Sequence, residues 1–342
     1  MKVRDILTLC LLVLFLPFVF IKAQSTNPDA NRALNVGDIS SVISLVATPE
    51  TPGPNENVSI FIDGSGIDLD LATITWKING QVVQSGQGVK SFNFITGGLG
   101  TETVVSATID SGEDTYTRNA TFTSNDIDIL WQGKSYTPPF YKGKSLWPYQ
   151  GNITLLAIPH VHNSSGQEIS PNNLIYIWKQ NSTVLGDVSG FGKNSLTFSD
   201  SILSLNQVIK VDVLTNKDTI VASKVINLNP LPPKILVYEN NPLYGIIFNH
   251  ESTGAISLQS KEISFIATPL FFSTANRNDP NIQYEWRVNN KKVSQSNGQI
   301  TFRIPENVSG ESGVGSSIKN IDKITQTSQK TFQVHFDNQI SL

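Results

Sequence analysis

Three stretches decide the fold: TITWKINGQVV (residues 73–83), LIYIWKQNSTVL (174–185) and IQYEWRVNNKKV (282–293). Each alternates residue character up to a tryptophan, Trp76, Trp178 or Trp286. A cation follows, and Asn79, Asn181 or Asn289 falls three positions after the indole. A period of two marks a half-buried strand. Asn-Gly, Asn-Ser and Asn-Asn accept the positive φ that a two-residue hairpin turn needs. Each stretch therefore reads as strand, turn, strand, with an indole on the buried face. The tryptophans lie 102 and 108 residues apart, a period that describes whole domains rather than solenoid units.

Strands fall into place on either side. NITLLAIP (152–159) and EISFIATP (262–269) precede the second and third tryptophans and share Ala-x-Pro. LVATP (45–49) carries the same motif, but Ala47 lies 29 residues before Trp76, against 21 for Ala157 and 19 for Ala267. Val58–Ile62 is therefore assigned as the equivalent strand and Ile43–Thr48 as an earlier edge strand, with the turn TPGPN (51–55) between them. Downstream come Ser91–Phe94, Ser195–Phe198 and Ile300–Phe302, then Thr103–Ile109, Val208–Leu214 and Thr331–Phe336. Gly310–Ser317 reads as a Gly/Ser-rich loop, either a contact or simply flexible. No segment keeps a 3.6-residue apolar period, so the expected fold class is all-β, with short antiparallel strands packed as sandwiches.

The strand ending in Ala-x-Pro, followed about 20 residues later by aromatic-x-Trp-x-x-Asn, resembles tandem immunoglobulin-like domains, and more narrowly the PKD type of bacterial surface proteins. Tyr176-Ile-Trp178 and Tyr284-Glu-Trp286 fit; Ile74-Thr-Trp76 lacks the aromatic, and the Gly-Asp-Gly turn usual in PKD domains is absent. The resemblance covers about residues 41–337 and implies three Ig-like (PKD-like) sandwiches in a row. YTPPFYKGK (136–144) is also similar to a segment in uncharacterised secreted proteins of candidate-phylum bacteria, a likeness that implies no activity. The expected division is a signal peptide (1–23), a flexible linker (24–40) and Ig-like domains at 41–125, 126–230 and 231–342, the second opening on an aromatic joint segment (126–150).

The signal is read from Lys2 and Arg4, the 16-residue apolar run Ile6–Ile21 and the small residue Ala23, after which cleavage is expected. The run is short of the ~20 residues a membrane span needs, and Pro17 interrupts it; membrane attachment is expected only through this segment if it stays uncut. Cleavage would leave 22 basic and 27 acidic residues and remove Cys10, the one cysteine. Each domain would then have to stand on its apolar core without disulfides.

The 342 residues are 39% hydrophobic, only 15% charged and rich in Asn (31), with net charge −3. A chain without a basic surplus has nothing to neutralise phosphates, which excludes nucleic acid as a partner. Four histidines and one cysteine leave little material for metal or thiol chemistry. There is no Gly-x-Ser-x-Gly elbow, His-Glu-x-x-His, P-loop or Gly-x-Gly-x-x-Gly, and Asp126/Asp128 is a carboxylate pair of the kind common on β surfaces. The reading is therefore non-enzymatic, with no cofactor and no metal.

Trp131, Tyr136, Phe140, Tyr141, Trp147 and Tyr149 place six aromatics in 19 residues, in a chain that is 9% aromatic overall. They read either as a stacking platform for a glycan or a protein partner at the cell surface, or as filling between the first and second domains; Tyr238–Phe248 recurs before the third. Asp63, Asp68 and Asp70 sit among glycines, but Ile67 occupies the fifth position of a would-be calcium loop, so a solvated turn is expected. His160 and His162 share a strand face without a third ligand at recognisable spacing and read as exposed loop residues. Asn57, Asn119, Asn152, Asn163, Asn181 and Asn307 head Asn-x-Ser/Thr sequons. The functional expectation is an exported, non-enzymatic envelope or surface protein for adhesion, structure or presentation of a binding surface; the alternatives are a carbohydrate-binding accessory protein using residues 131–149 and a hydrolase of unfamiliar site.

Overall fold

The structure, a computed structural model, describes residues 43–139, 141–203, 205–216, 219–258, 260–294, 298–304 and 308–337. The expected signal segment, the linker and Phe140 lie outside these residues.

The first unit contains β1 (Ile43–Thr48), β2 (Asn57–Gly64), β3 (Thr73–Ile78), β4 (Gln81–Gln87), β5 (Ser91–Ile95), β6 (Glu102–Asp110) and β7 (Thr115–Thr123). They form two antiparallel sheets, β1-β2-β5 and β4-β3-β6-β7. The second contains β8 (Asp126–Gly133), β9 (Asn152–His160), β10 (Ile175–Gln180), β11 (Thr183–Val184), β12 (Gly190–Phe191), β13 (Ser195–Ser199), β14 (Gln207–Leu214) and β15 (Ile220–Leu228). Sheet β13-β9-β8 faces β11-β10-β14-β15, with β12 also paired to β10. The third contains β16 (Lys234–Asn241), β17 (Gly245–Glu251), β18 (Ala255–Ser257), β19 (Glu262–Leu270), β20 (Ile282–Val288), β21 (Lys291–Val293), β22 (Gln299–Arg303), β23 (Gly310–Asn320) and β24 (Thr327–Phe336). Its sheets are β17-β16-β19-β22 and β18-β24-β23-β20-β21.

The route is the same three times. Two strands run in one sheet, the tryptophan hairpin crosses to the other, one strand returns, and two more close the second sheet. β2, β9 and β19 are the middle strands of corresponding sheets, so the equivalence assigned to Val58–Ile62 describes the topology. The third unit adds β17 and β18 between its first two shared strands; β18 pairs in parallel with β24. Gly310–Ser317, expected as a loop, is instead the first part of β23. Val314 and Ile318 point inward on an alternating strand, and pairing to both β20 and β24 holds it despite its glycines.

Each sandwich encloses its own core. Trp76, Trp178 and Trp286 are at most 1% exposed, packed respectively with Ile60, Ile74 and Ile109; with Leu155, Tyr176 and Val211; and with Phe265, Ile318 and Phe332. A buried indole N–H usually finds an acceptor, and two of the three do, while Trp286 Nε1 has none among the described residues. Trp76 Nε1 donates to the Val89 carbonyl at 2.8 Å and Trp178 Nε1 to that of Lys193 at 2.9 Å.

The repeated asparagine does more than turn the chain. Asn79, Asn181 and Asn289 have φ of 49, 47 and 48°, as the hairpin requires. In each case the backbone N–H also donates to the facing strand, to the carbonyls of Val104, Val208 and Gly313 at 2.9, 2.9 and 2.8 Å. Each Oδ1 accepts the N–H of that same residue at 2.9 Å. The carboxamide thus continues the ladder for one step after the strand has ended. Asn79→Gly keeps the turn conformation and loses the side-chain bond. We expect it to lower stability by about 1 kcal/mol in denaturant unfolding, whereas a purely conformational role for Asn79 predicts no loss.

Candidate functional site: the strap between the second and third sandwiches

The aromatic cluster lies between β8 and β9, and its position follows from the direction of β8. That strand leaves the first unit at Asp126 and runs eight residues, which at ~3.3 Å per residue is roughly 26 Å. The segment after it therefore emerges at the opposite end of the second sandwich, against the third. The expectation that it fills the joint between the first and second units is corrected accordingly. The same connection recurs in the third unit, where Tyr238–Phe248 forms the β16–β17 hairpin with the two rings edge to face at 5.2 Å. The connections span residues 49–56, 134–151 and 242–261, so two of the three are enlarged.

Residues 134–151 form a strap closed on itself. Gly133 N donates to the Ser145 carbonyl at 2.8 Å, Ser135 Oγ to the Leu146 carbonyl at 2.8 Å and Ser145 Oγ to the Ser135 carbonyl at 2.9 Å. The returning chain lies directly on Gly133: a Cβ there would sit 2.4 Å from the carbonyl carbon of Leu146 and 2.5 Å from Cα of Trp147. Backbone cannot yield as a side-chain tip can. Gly133→Ala is therefore expected to destabilise the second unit by about 3 kcal/mol, read as a lower midpoint in chemical unfolding.

The structure does not gather the five described aromatics on one face. Trp147 is 1% exposed and belongs to the second core, with Nε1 donating to the Gly151 carbonyl at 2.8 Å and its ring edge to face with Phe198. Tyr149 is half-buried in the joint: its N–H donates to the Leu231 carbonyl at 3.0 Å and its carbonyl accepts from Gln326 Nε2. Tyr136 N donates to the Phe272 carbonyl of the third unit at 3.0 Å. Burial pushes its phenol pKa up, with Arg277 acting in the opposite direction. Trp131 packs partly against the second core and carries Lys144 Nζ 3.2 Å from its ring centroid. Burial lowers the pKa of that ammonium. Tyr141 is exposed. Among the five described residues, Trp147 is core, Tyr136 and Tyr149 lie at the joint, Trp131 is half-buried and Tyr141 is exposed.

The joint is bonded from both sides. Gln150 Oε1 accepts from Thr325 N and Thr325 Oγ1, both at 2.8 Å, and Gln326 Nε2 also reaches Ser273 Oγ at 2.8 Å. Gln326 is fully buried. Tyr284, whose hydroxyl donates to the Arg277 carbonyl at 2.6 Å, has its pKa raised by burial to about 12. Gln326→Ala removes the side chain that joins Tyr149, Ser273 and Asn320. It is expected to raise the rate of proteolytic cutting in the 229–233 linker several-fold, measured by limited digestion.

The first and second units meet around Asn125. Asn125 Oδ1 accepts from His162 N at 3.0 Å and its Nδ2 donates to the Val221 carbonyl at 3.1 Å. The His162 ring lies over Gly100, where a Cβ would meet it at 2.9 Å. His162 is therefore a packing residue of this junction, not an exposed loop histidine. His160 Nε2 lies 3.2 Å from Asp128 and its Nδ1 3.5 Å from Glu168. Asp68 Oδ1 accepts from Asp70 N at 3.1 Å, and Asp70 pairs with Lys90 at 2.9 Å, in a turn. Among the described residues no three His, Cys, Asp or Glu side chains are grouped to hold a metal, and no helix is long and apolar enough to cross a membrane.

Two features stand outside the aromatic segment. Asp212, on β14, is fully buried between Lys179 (2.7 Å), Lys210 (2.9 Å) and Ser223 Oγ (2.5 Å). Burial alone would raise its pKa; the hydrogen bonds from Lys179, Ser223 and Lys210 together hold it below the ordinary value. A groove of about 920 Å³ opens on the outer face of the third sandwich, walled by Glu285, Arg287, Gln329 and Gln333 over Gly313 and Gly315. Glu285 there is paired with both Arg287 and Lys292 at 2.8 Å.

These sheets and cores define a tandem array of β-sandwiches. No family model matches the chain, and no curated protein matches it. Among solved structures, the three N-terminal domains of the bacteriophage RB49 outer capsid protein Hoc are 11% identical over 86% of this chain and 98% of that one, with a TM-score of 0.25. The central fibronectin-III array of RIM-binding protein is 12% identical over 86% and 96%, TM-score 0.27. Bacteroides ovatus SGBP-B, solved in complex with a mixed-linkage heptasaccharide, is 12% identical over 84% and 66%, TM-score 0.23. Superpositions at these scores fix no function; the sandwich assignment rests on the paired sheets and three separate cores.

Proposed function

We propose that the chain is an exported, non-enzymatic array of Ig-like, PKD-type sandwiches divided at about 41–125, 126–230 and 231–342, which acts at the cell envelope or surface as a structural, adhesive or binding-surface module. The observation that carries this reading is the use of the chemistry-bearing side chains. The side chains of Gln150 and Gln326 and the backbone of Tyr136 and Tyr149 hold two units together, the His162 ring packs a junction, Asp68 caps a turn and Asp70 pairs with Lys90. What faces outward is the relief of the sandwiches, including the groove floored by Gly313 and Gly315. A carbohydrate platform at residues 131–149 is not favoured, because Trp147 is in the core and Tyr149 is half-buried at the joint.

Fractionation of the producing cells, N-terminal sequencing of the mature chain and protease shaving of intact cells test the reading together. The expected result is a chain beginning near Gln24, or an intact one in the membrane fraction, digested from outside. Recovery of the full-length chain from the cytoplasm alone, protected from protease, would overturn it.

A further inference from the structure

The three units treat one strand differently. The second strand of the tryptophan hairpin is two residues long in the second unit (β11, Thr183–Val184) and three in the third (β21, Lys291–Val293), where two of the three are lysines. Short length and lysine are the devices that keep a sheet edge from pairing with another chain. In the first unit the same strand, β4, is seven residues, Gln-Val-Val-Gln-Ser-Gly-Gln, with no charge and no proline. Val82 and Val83 are 61% and 47% exposed. Among the described residues, β4 pairs with β3 on one side and ends the sheet on the other. A bulge at Val83 twists it without adding charge. The opposite edge of the sheet, β7, is met by β1, with Arg118 Nε donating to the Ile43 carbonyl at 2.9 Å. The uncharged outer strands β5 and β13 are shorter, at five residues each.

We infer that β4 is a self-association edge: two copies of this chain pair β4 against β4, antiparallel about a twofold axis, and join two four-stranded sheets into one of eight. An isologous antiparallel pair presents each backbone donor to its own symmetry-related acceptor, so one strand satisfies itself. Absence of charge decides the occupant. A strand without charge has no means of selecting a charged partner strand and meets its own copy without the like-charge repulsion that opposed lysines or glutamates would bring. This association would join first units and leave the groove of the third free on each chain.

Sedimentation equilibrium of the purified chain across a hundredfold concentration range tests this, together with Val82→Lys/Gln84→Lys, which puts two charges on the edge strand of each copy and so four along the pair. Both positions are exposed, and an unchanged thermal midpoint for the variant would show that the sandwich is intact. The expected results are a concentration-dependent dimer for the wild type, at least tenfold weaker association for the variant, and slower amide exchange over residues 81–87 at high concentration. A wild-type chain that stays monomeric throughout, or a variant that dimerises as well as the wild type, would overturn the inference.

Discussion

Trp178→Ala is expected to unfold the second sandwich while the first keeps its cooperative transition. The indole is fully buried among Leu155, Tyr176 and Val211 and its N–H is bonded to the Lys193 carbonyl. Truncation removes one of the two indoles of that core, leaves a cavity and strands the Lys193 carbonyl. Such losses run to about 4 kcal/mol, a large share of what a domain of this size has to spare. Because the three cores are separate clusters, calorimetry should show one transition displaced or missing and the transition of the first unit unmoved. Equal displacement of every transition would mean that the units share a core, against the packing seen here.

The second large effect is expected at Asp212. In Asp212→Asn, Lys179 and Lys210 keep their places beside a neutral amide and lose the carboxylate that balances them. Removing one side of a buried charge cluster typically costs about 3 kcal/mol or more; both lysines retain access to water, so about 2–3 kcal/mol is expected here. The pH dependence has a defined sign. The folded-state pKa lies below the ordinary 3.8, so the stabilisation is complete above 3.8 and is lost as pH falls through the lower folded value. The gap between wild type and variant should therefore be widest near neutrality and narrow toward pH 3, as measured by denaturant midpoints. A gap that stays constant with pH would assign Asp212 a packing role alone.

The cores were legible in the sequence because strand alternation and a large indole report burial directly. Val58–Ile62 could be matched to its counterparts by its distance from Trp76, although LVATP carries the more similar motif. The asparagines were legible as turn formers but not as ladder bonds, because Val104, Val208 and Gly313 face them only once the second sheet closes. Asp212 was illegible for the same reason: in VDV it looks like an outward polar residue of an alternating strand, and only pairing with β10 and β15 brings Lys179 and Ser223 over it. The strap was misplaced because nearness in sequence to the first unit was taken for nearness in space, and an eight-residue strand reverses that relation. Gly310–Ser317 looked like a loop because glycine hides the alternation that Val314 and Ile318 still keep.

The strap also changes how the molecule would bear load. Between β15 and β16 the chain passes through Asn229-Pro-Leu-Pro-Pro233, a tether that by itself transmits tension and little torque. Gln150 and Tyr149 meet Thr325 and Gln326, and Tyr136 meets Phe272, in addition to the tether, so bending or twisting one unit against the next stretches these hydrogen bonds. A pair of sandwiches clamped in this way behaves as a beam and not as beads on a string.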